Sequence, residues 1–271
     1  MSEQDGIGLR TDRPHPARVY DYLLGGKDNF AADREAAHKG LQANPDSRIP
    51  PRENRLFLRR AVRFLAEQGI DQFLDIGTGI PSAPNVHHVA QAINPRSRIV
   101  YVDNDPIVLA HARALLTSHP DGGTDYIDAD LRDVDSILSS KTLRETLDLD
   151  RPVGLLLIAI LHFIGDEHEP WDIVDRLLAV LPAGSYLALS HLTGDFRPEA
   201  WEHVTEVYRR QGVTMRVRPR AQIEQFFSGL EMVSPGLRIL PAWRPELGEP
   251  TEQPPPSDGQ VSVYGAVARK P

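Results

Sequence analysis

Three groups of acidic and glycine residues in the first half of the chain have the types and spacing to hold a small polar ligand. Asp75-Ile76-Gly77-Thr78-Gly79 follows the short apolar run of Phe73 and Leu74, and Val86, Val89, Ala90 and Ile93 come after it with helical spacing. That order describes a strand, a tight turn and a helix. Glycines in such a turn permit positive φ and let a ligand touch main chain where a side chain would intrude. The second group, Asp103-Asn104-Asp105-Pro106, closes the run Ile99 to Val102, and the third, Asp128-Ala129-Asp130-Leu131, closes a run that begins at Tyr126.

In an open parallel sheet the ligand lies beyond the carboxyl ends of the strands, so the three groups are expected to share one site. An acid about 25 residues past the glycines suits the two hydroxyls of an adenosine ribose, which assigns Asp103. Asp130, further beyond its strand end than Asp128, suits the adenine amino group, with the backbone N–H of Leu131 facing the ring; the other reading of Asp130 is a helix cap. Nicotinamide cofactors and S-adenosylmethionine both carry that ribose. A pyrophosphate calls for a third glycine, where this chain has Ser82 flanked by Pro81 and Pro84. Asp75 would repel a pyrophosphate at short range and attract a methionine ammonium. Asp75, Gly77, Thr78, Gly79, Asp103, Asn104, Asp130 and Leu131 are therefore expected to bind S-adenosylmethionine, with S-adenosylhomocysteine as its product. A nicotinamide-dependent oxidoreductase is disfavoured.

The elements that must position these residues alternate along the chain. Val153 to Ile160 is a nearly unbroken Leu/Ile run, the pattern of a central parallel strand covered on both faces. Trp171, Val174, Leu178 and Leu181 make the next helix, and Tyr186 to Leu189 a fifth strand. Such alternation predicts an α/β fold with a doubly wound, mostly parallel sheet and helices on both faces. Residues 1–70 read as a helical cap or lid and 71–271 as the sheet domain. Within them, Asn44 to Pro51 reads as a loop, Arg52 to Gly69 as a helix closed by its glycine, Asp135 to Leu147 as one helix, and the Pro-rich Pro241 to Gly259 as a mobile hairpin loop.

Composition narrows the function. A formal net charge of -8 over 271 residues disfavours nucleic acid as the partner, since such proteins need a basic face. There is no cysteine, which excludes disulfides, thiolate metal sites and cysteine nucleophiles. No metal site is expected. Val153 to Leu161 is the longest apolar run and is too short to span a bilayer. The N-terminus, with Glu3, Asp5, Arg10 and Asp12, lacks the basic-then-apolar order of a signal peptide. A soluble, cytoplasmic protein with a small-molecule substrate is expected, its oligomeric state open.

The three acidic motifs resemble the cofactor motifs of class I S-adenosylmethionine-dependent methyltransferases. The wider sequence is similar to one bacterial family of these, long catalogued as a domain of unknown function. Its marks are Pro16-Ala17-Arg18-Val19-Tyr20-Asp21-Tyr22-Leu23-Leu24-Gly25-Gly26-Lys27-Asp28-Asn29-Phe30, then Asn85-Val86-His87, Phe226-Phe227 and Pro241-Ala242-Trp243-Arg244-Pro245. The resemblance implies a Rossmann-like, seven-stranded sheet whose last strand runs antiparallel. It implies no particular acceptor.

Further residues fall outside the three acidic motifs. Tyr20, Tyr22, Lys27, Asp28 and Asn29 surround the Gly25-Gly26 hinge and read as a lid over cofactor and acceptor, or else as a glycine-capped helix. His162 and His191, after the fourth and fifth strands, are candidate general bases or else core histidines. Arg216, Arg218, Arg220 and Arg244 read as a solvated face ahead of an anion site. The leading function is methyl transfer to an unidentified small molecule; the alternative is a non-catalytic protein that binds S-adenosylmethionine or S-adenosylhomocysteine as a regulatory ligand.

Overall fold

Leu- and Ile-rich strands buried on both faces demand helices on either side of them, and the computed structural model, which describes residues 10–115, 117–249 and 254–271, supplies these. Five strands run parallel: β1 (Gln72–Ile76), β2 (Arg98–Asp103), β3 (Gly123–Asp128), β4 (Gly154–Ile158) and β5 (Tyr186–Leu192). β6 (Glu231–Met232), β7 (Arg238–Ile239) and β8 (Val263–Arg269) complete the sheet. Its order is β3-β2-β1-β4-β5-β8-β6, with β7 also on β8. β8 is antiparallel to β5, pairing Tyr186 with Arg269 and Leu192 with Val263. The resemblance implied seven strands; here β6 and β7 share the outer edge of β8, at Met232–Ala268 and Ile239–Tyr264, so one edge lane is split into two short segments. Strand order reverses between β1 and β4, which places a crevice at their carboxyl ends.

Eleven α-helices surround the sheet among the described residues. α1 (Pro16–Leu24), α2 (Ala31–Ala43) and α3 (Ile49–Glu67) precede it. α4 (Val86–Ile93), α5 (Pro106–Leu115), α6 (Val134–Leu138), α7 (Lys141–Thr146) and α8 (Pro170–Ala179) lie in the crossovers. α9 (Pro198–Arg209), α10 (Arg220–Glu224) and α11 (Asp258–Val261) follow β5. No helix among the described residues is long and apolar enough to cross a membrane.

α3 packs directly on the sheet, with Phe57, Ala61 and Leu65 fully buried. Gly265 in β8 makes room for it: a Cβ there would lie 2.6 Å from Leu240 and 2.9 Å from Phe57. The helix starts earlier than Arg52, because Pro50 and Pro51 sit in its first turn, where a missing N–H breaks no bond. Pro45–Arg48 forms a 3-10 turn leading into it, so most of the expected loop is helical. The expected helix over 135–147 is two helices, α6 and α7, interrupted at Ser139 and Ser140, a residue type that competes for backbone hydrogen bonds.

The Pro-rich stretch from Pro241 differs most from expectation. Its residues 250–253 lie outside the described residues, as do Glu3 and Asp5 of the N-terminus. Its first half is anchored rather than mobile: Trp243 is fully buried, edge-on to Phe57 at 5.2 Å. The Arg60 guanidinium of α3, 5% exposed, donates to the carbonyls of Leu240 at 2.7 Å and Trp243 at 2.9 Å. One large aromatic ring and one buried cation outweigh a composition that favours disorder. Arg60→Met, which keeps the stem and removes these charged donors, should cost about 2–4 kcal/mol of stability, read from the denaturation midpoint. An unchanged midpoint would show that the anchor contributes nothing.

Candidate active site

The glycine turn leaves β1 by borrowing hydrogen bonds from β2. Gly77 N–H donates to Val102 O at 2.8 Å, and Thr78 Oγ1 donates to Asp75 O at 3.2 Å. Gly77 and Gly79 have φ of 76° and 67°, as the turn requires. A Cβ on Gly77 would sit 2.6 Å from the Ile160 side chain, so the turn packs tightly against the segment after β4. Thr78 thus supports the loop, while Gly77 lets the loop approach Ile160.

Asp103 closes β2 and faces this turn. Its Oδ2 accepts from Gly79 N–H at 2.8 Å and its Oδ1 from Asp105 N–H at 2.9 Å. Burial raises its pKa and the two N–H groups oppose that shift. Each oxygen retains room for a second donor. Asp75, 6% exposed, is pushed up to about 7 by burial, with Arg55 opposing and Asp103 reinforcing the shift. Arg55, from α3, also donates to the carbonyls of Ser82 and of Pro84, the latter at 2.8 Å, and so pins the turn's far end.

Asp130 presents a different picture from the one expected. Its oxygens accept from Arg132 N–H at 2.9 Å, Arg132 Nε at 2.8 Å, Arg132 Nη2 and Asn104 Nδ2 at 2.9 Å. The Arg132 hydrogen bonds hold its carboxyl well below the usual carboxylate range. A carboxylate offers roughly four acceptor positions, so an adenine amino group would have to displace a partner. Asn104 is occupied by the same carboxylate. Leu131 is buried and lines the cleft.

The cleft these residues share measures about 440 Å³, within the range of small-molecule sites. Its cover is the segment from Arg10 to Arg18, held by buried charges that sequence reasoning missed. Asp105 caps α5 through Oδ1 and Ile107 N–H at 2.9 Å, and its Oδ2 lies 3.0 Å from His15 Nδ1 and 3.3 Å from Arg18 Nε. Asp33 of α2 accepts from His15 N–H at 2.9 Å and lies 3.5 Å from Arg18 Nε. Arg18, 2% exposed, also donates to the carbonyls of Arg10 and Arg13 at 3.3 and 3.0 Å. Burial alone would raise the Asp105 pKa, yet His15, the Ile107 N–H and Arg18 outweigh it and hold the carboxyl below its ordinary range.

Of the five expected lid residues, only Tyr20 lines the cleft. Ala159 N–H donates to Ser190 Oγ at 2.9 Å, Ser190 Oγ to Asn54 Oδ1 at 2.5 Å, Asn54 Nδ2 to Tyr20 Oη at 2.9 Å, and Tyr20 Oη to Pro51 O at 3.0 Å. This chain joins β4, β5, α3 and α1. Tyr20 is pushed up to about 12 by burial, so its hydroxyl stays protonated. Tyr22 bonds His38 at 2.6 Å under the Arg48 guanidinium, and Lys27 is exposed. Asn29 Nδ2 and Asp28 N–H both donate to Asp21, closing the turn after Gly25, whose φ is 87°; Asp28 also lies 3.1 Å from His111 of α5. These polar groups build and fasten a glycine-capped turn.

The two histidines lie outside the cleft. His191 is fully buried, donating from Nδ1 to Leu192 O at 2.7 Å and accepting from Arg218 at Nε2 at 2.9 Å. Burial pushes it down to about 3, and with both nitrogens committed it serves as a structural link rather than a base. His162, 4% exposed, is held well below its ordinary value by burial, His191 and Arg218. It faces a smaller apolar cavity beside the cleft, because a 3-10 turn over Leu161–Phe163 follows β4. Arg218 is fully buried, bonding the carbonyls of Leu161 and Ile164 and the Asp166 carboxylate; neither a solvated face nor an anion site describes it. Arg216 pairs with Asp166, Arg220 with Glu224, and Arg244 lies over Phe64.

Ala159, at the mouth of β4, has φ of 56°, a left-handed conformation that favours glycine. Ala159→Gly should therefore raise stability by about 1 kcal/mol, whereas Gly77→Ala should lower it by about 2–3 kcal/mol through strain and overlap with Ile160. Thermal and denaturant melts of both variants check the opposite signs.

Comparison with known proteins agrees with this geometry. The family model described as S-adenosyl methyltransferase matches residues 2–271. A crystal structure of a DUF574 family protein from Streptomyces avermitilis is 48% identical, covers 97% of this chain and 100% of its own, and superposes with a TM-score of 0.93. A Thermobifida fusca structure, whose methyltransferase assignment is itself a proposal, is 38% identical, covers 99% of both chains and has a TM-score of 0.88. No functionally curated protein matches the chain. A match along almost its whole length, with a relative nearly half identical, shows that the chain belongs to the S-adenosyl methyltransferase family.

Proposed function

We propose that the cleft at the ends of β1, β2 and β3 holds S-adenosylmethionine and that its methyl passes to a small-molecule acceptor. In this reading Asp103 receives the ribose hydroxyls, Asp75 faces the methionine ammonium, Arg10 and Arg13 lie near the methionine carboxylate, and Leu131 packs on the adenine. The observation that carries it is Asp103: both oxygens are oriented by backbone N–H groups beside two positive-φ glycines, with acceptor capacity left over. Asn104 lines the cleft and commits only its Nδ2 to Asp130, so its Oδ1 is left to meet the adenine edge in place of Asp130, whose own oxygens are taken.

When bound, the cofactor supplies a methyl on sulfonium that an acceptor lone pair attacks while the carbon–sulfur electron pair stays on sulfur. The chain's residues then need only align the acceptor and exclude water, which accounts for catalysis without a histidine base. The segment from Arg10 to Arg18 excludes the water, and the Tyr20–Asn54–Ser190 chain fixes the floor between cofactor and acceptor. The segment from Arg10 to Tyr20, which lines that cleft, acts as the lid. Cells make and spend this methyl donor in the cytoplasm, so that compartment is the expected one.

Asp103→Ala should lose about 1.5–3 kcal/mol of binding, one to two decades of affinity for S-adenosylhomocysteine by calorimetry. Unchanged affinity would place the ribose elsewhere. Affinity should also depend on pH through Asp75. Its pKa is raised to about 7 in the free protein, and a bound ammonium lowers it, so binding favours the deprotonated form. Affinity is then full above pH 7 and falls as pH drops through it, about tenfold between pH 8 and pH 6. Asp75→Asn should flatten that profile; a profile that stays steep assigns the titration to another group. Release of labelled methyl into a metabolite extract tests transfer itself, and binding without any transfer would favour the regulatory alternative.

A further inference from the structure

A second cavity, of about 70 Å³, opens beside the cofactor cleft between α1, the start of α3, the ends of β4 and β5, and α9. Pro16, Tyr20, Asn54, Ala159 and Phe163 line both spaces, so the two adjoin at these residues. Among the described residues, none that lines this cavity carries a carboxylate, ammonium or guanidinium. Most of its wall is aliphatic or aromatic, from residues such as Val19, Leu23, Leu192, Val204 and Met215.

Two of its lining residues, His162 and Trp201, each bury a ring nitrogen without a partner, Nδ1 and Nε1. They are 4% and 3% exposed. An unpaired buried polar atom carries a desolvation cost. The left-handed Ala159 sits where the cavity meets the cleft, and strained backbone concentrates at ligand contacts.

We infer that this cavity receives the apolar end of a neutral small-molecule acceptor, with its methylated heteroatom at the Tyr20–Ala159 junction. The inference rests on the methyl-transfer reading and specifies its substrate class. The volume is about half that of a cavity that holds benzene, so only a few carbons enter and the rest of the acceptor reaches toward the cleft. A charged acceptor is excluded by the cost of burying an ion against an uncharged wall. Burial also keeps His162 neutral, so this wall stays without charge.

The test uses the full chain saturated with S-adenosylhomocysteine and two probes of one shape, 3-methylbutanamide and 3-methylbutanoate, followed by ligand-observed NMR. The neutral amide should bind at least tenfold more tightly than the carboxylate. Val204→Phe, which fills the cavity from α9, should weaken amide binding at least tenfold while leaving S-adenosylhomocysteine affinity unchanged. Equal binding of both probes, full amide binding by Val204→Phe, or no amide binding at about 10 mM with normal S-adenosylhomocysteine affinity would each overturn the inference. Loss of S-adenosylhomocysteine binding in the unmodified protein would instead overturn the methyl-transfer reading, and with it the acceptor role.

Discussion

Two buried carboxylates two residues apart, Asp103 and Asp105, set the geometry on which the site depends. Burying either one alone would be costly. Asp103 is compensated by the N–H groups of Gly79 and Asp105, which orients it toward the cleft. Asp105 is compensated by the first turn of α5 on one oxygen and by His15 and Arg18 on the other. The strand end thus faces ligand with one acid and holds the cover with the next. Because Asp33 of α2 contacts the same Arg18, the cover, α2 and α5 are held as one unit through charges withdrawn from water.

The sheet, the glycine turn and Asp103 were legible in the sequence because each is a local pattern: an apolar run, a pair of glycines, an acid at a strand end. The cover was not, because Arg18 and Asp105 lie 87 positions apart and no periodicity announces their meeting. His191 was expected after its strand but lies within it, because β5 runs on to Leu192, and strand position says nothing of Arg218, which arrives from 27 residues away and claims its nitrogen. Asp130 was placed correctly at the third strand end, and its occupation by Arg132 and Asn104 became visible only with side chains in place. Composition misled at Trp243, where one ring decides the conformation of a stretch otherwise rich in proline.

The cleft and the adjoining cavity divide the chemistry of the molecule. The cleft gathers Asp75, Asp103, Asp130, Arg10 and Arg13 around backbone turns, a surrounding suited to a zwitterionic, hydroxyl-rich ligand. The cavity gathers side chains without charge. Between them runs a single chain of hydrogen bonds from Ala159 to Pro51, every member of which is paired. A rigid, satisfied partition of this kind keeps two dissimilar surfaces at a fixed separation, which an in-line transfer requires.

The reversed direction of β8 has a practical corollary. Val263 pairs with Leu192 at the cleft end of β5, and Arg269 pairs with Tyr186 at the opposite end, where Lys270 Nζ is tethered to the carbonyls of Leu178 and Leu181. Seven strand residues separate the two ends, about 20 Å of chain. A dye, affinity handle or surface linkage joined after Pro271 is therefore held on the far side of the sheet from the ligand. The same attachment at Arg10, which lines the cleft, would stand at the doorway.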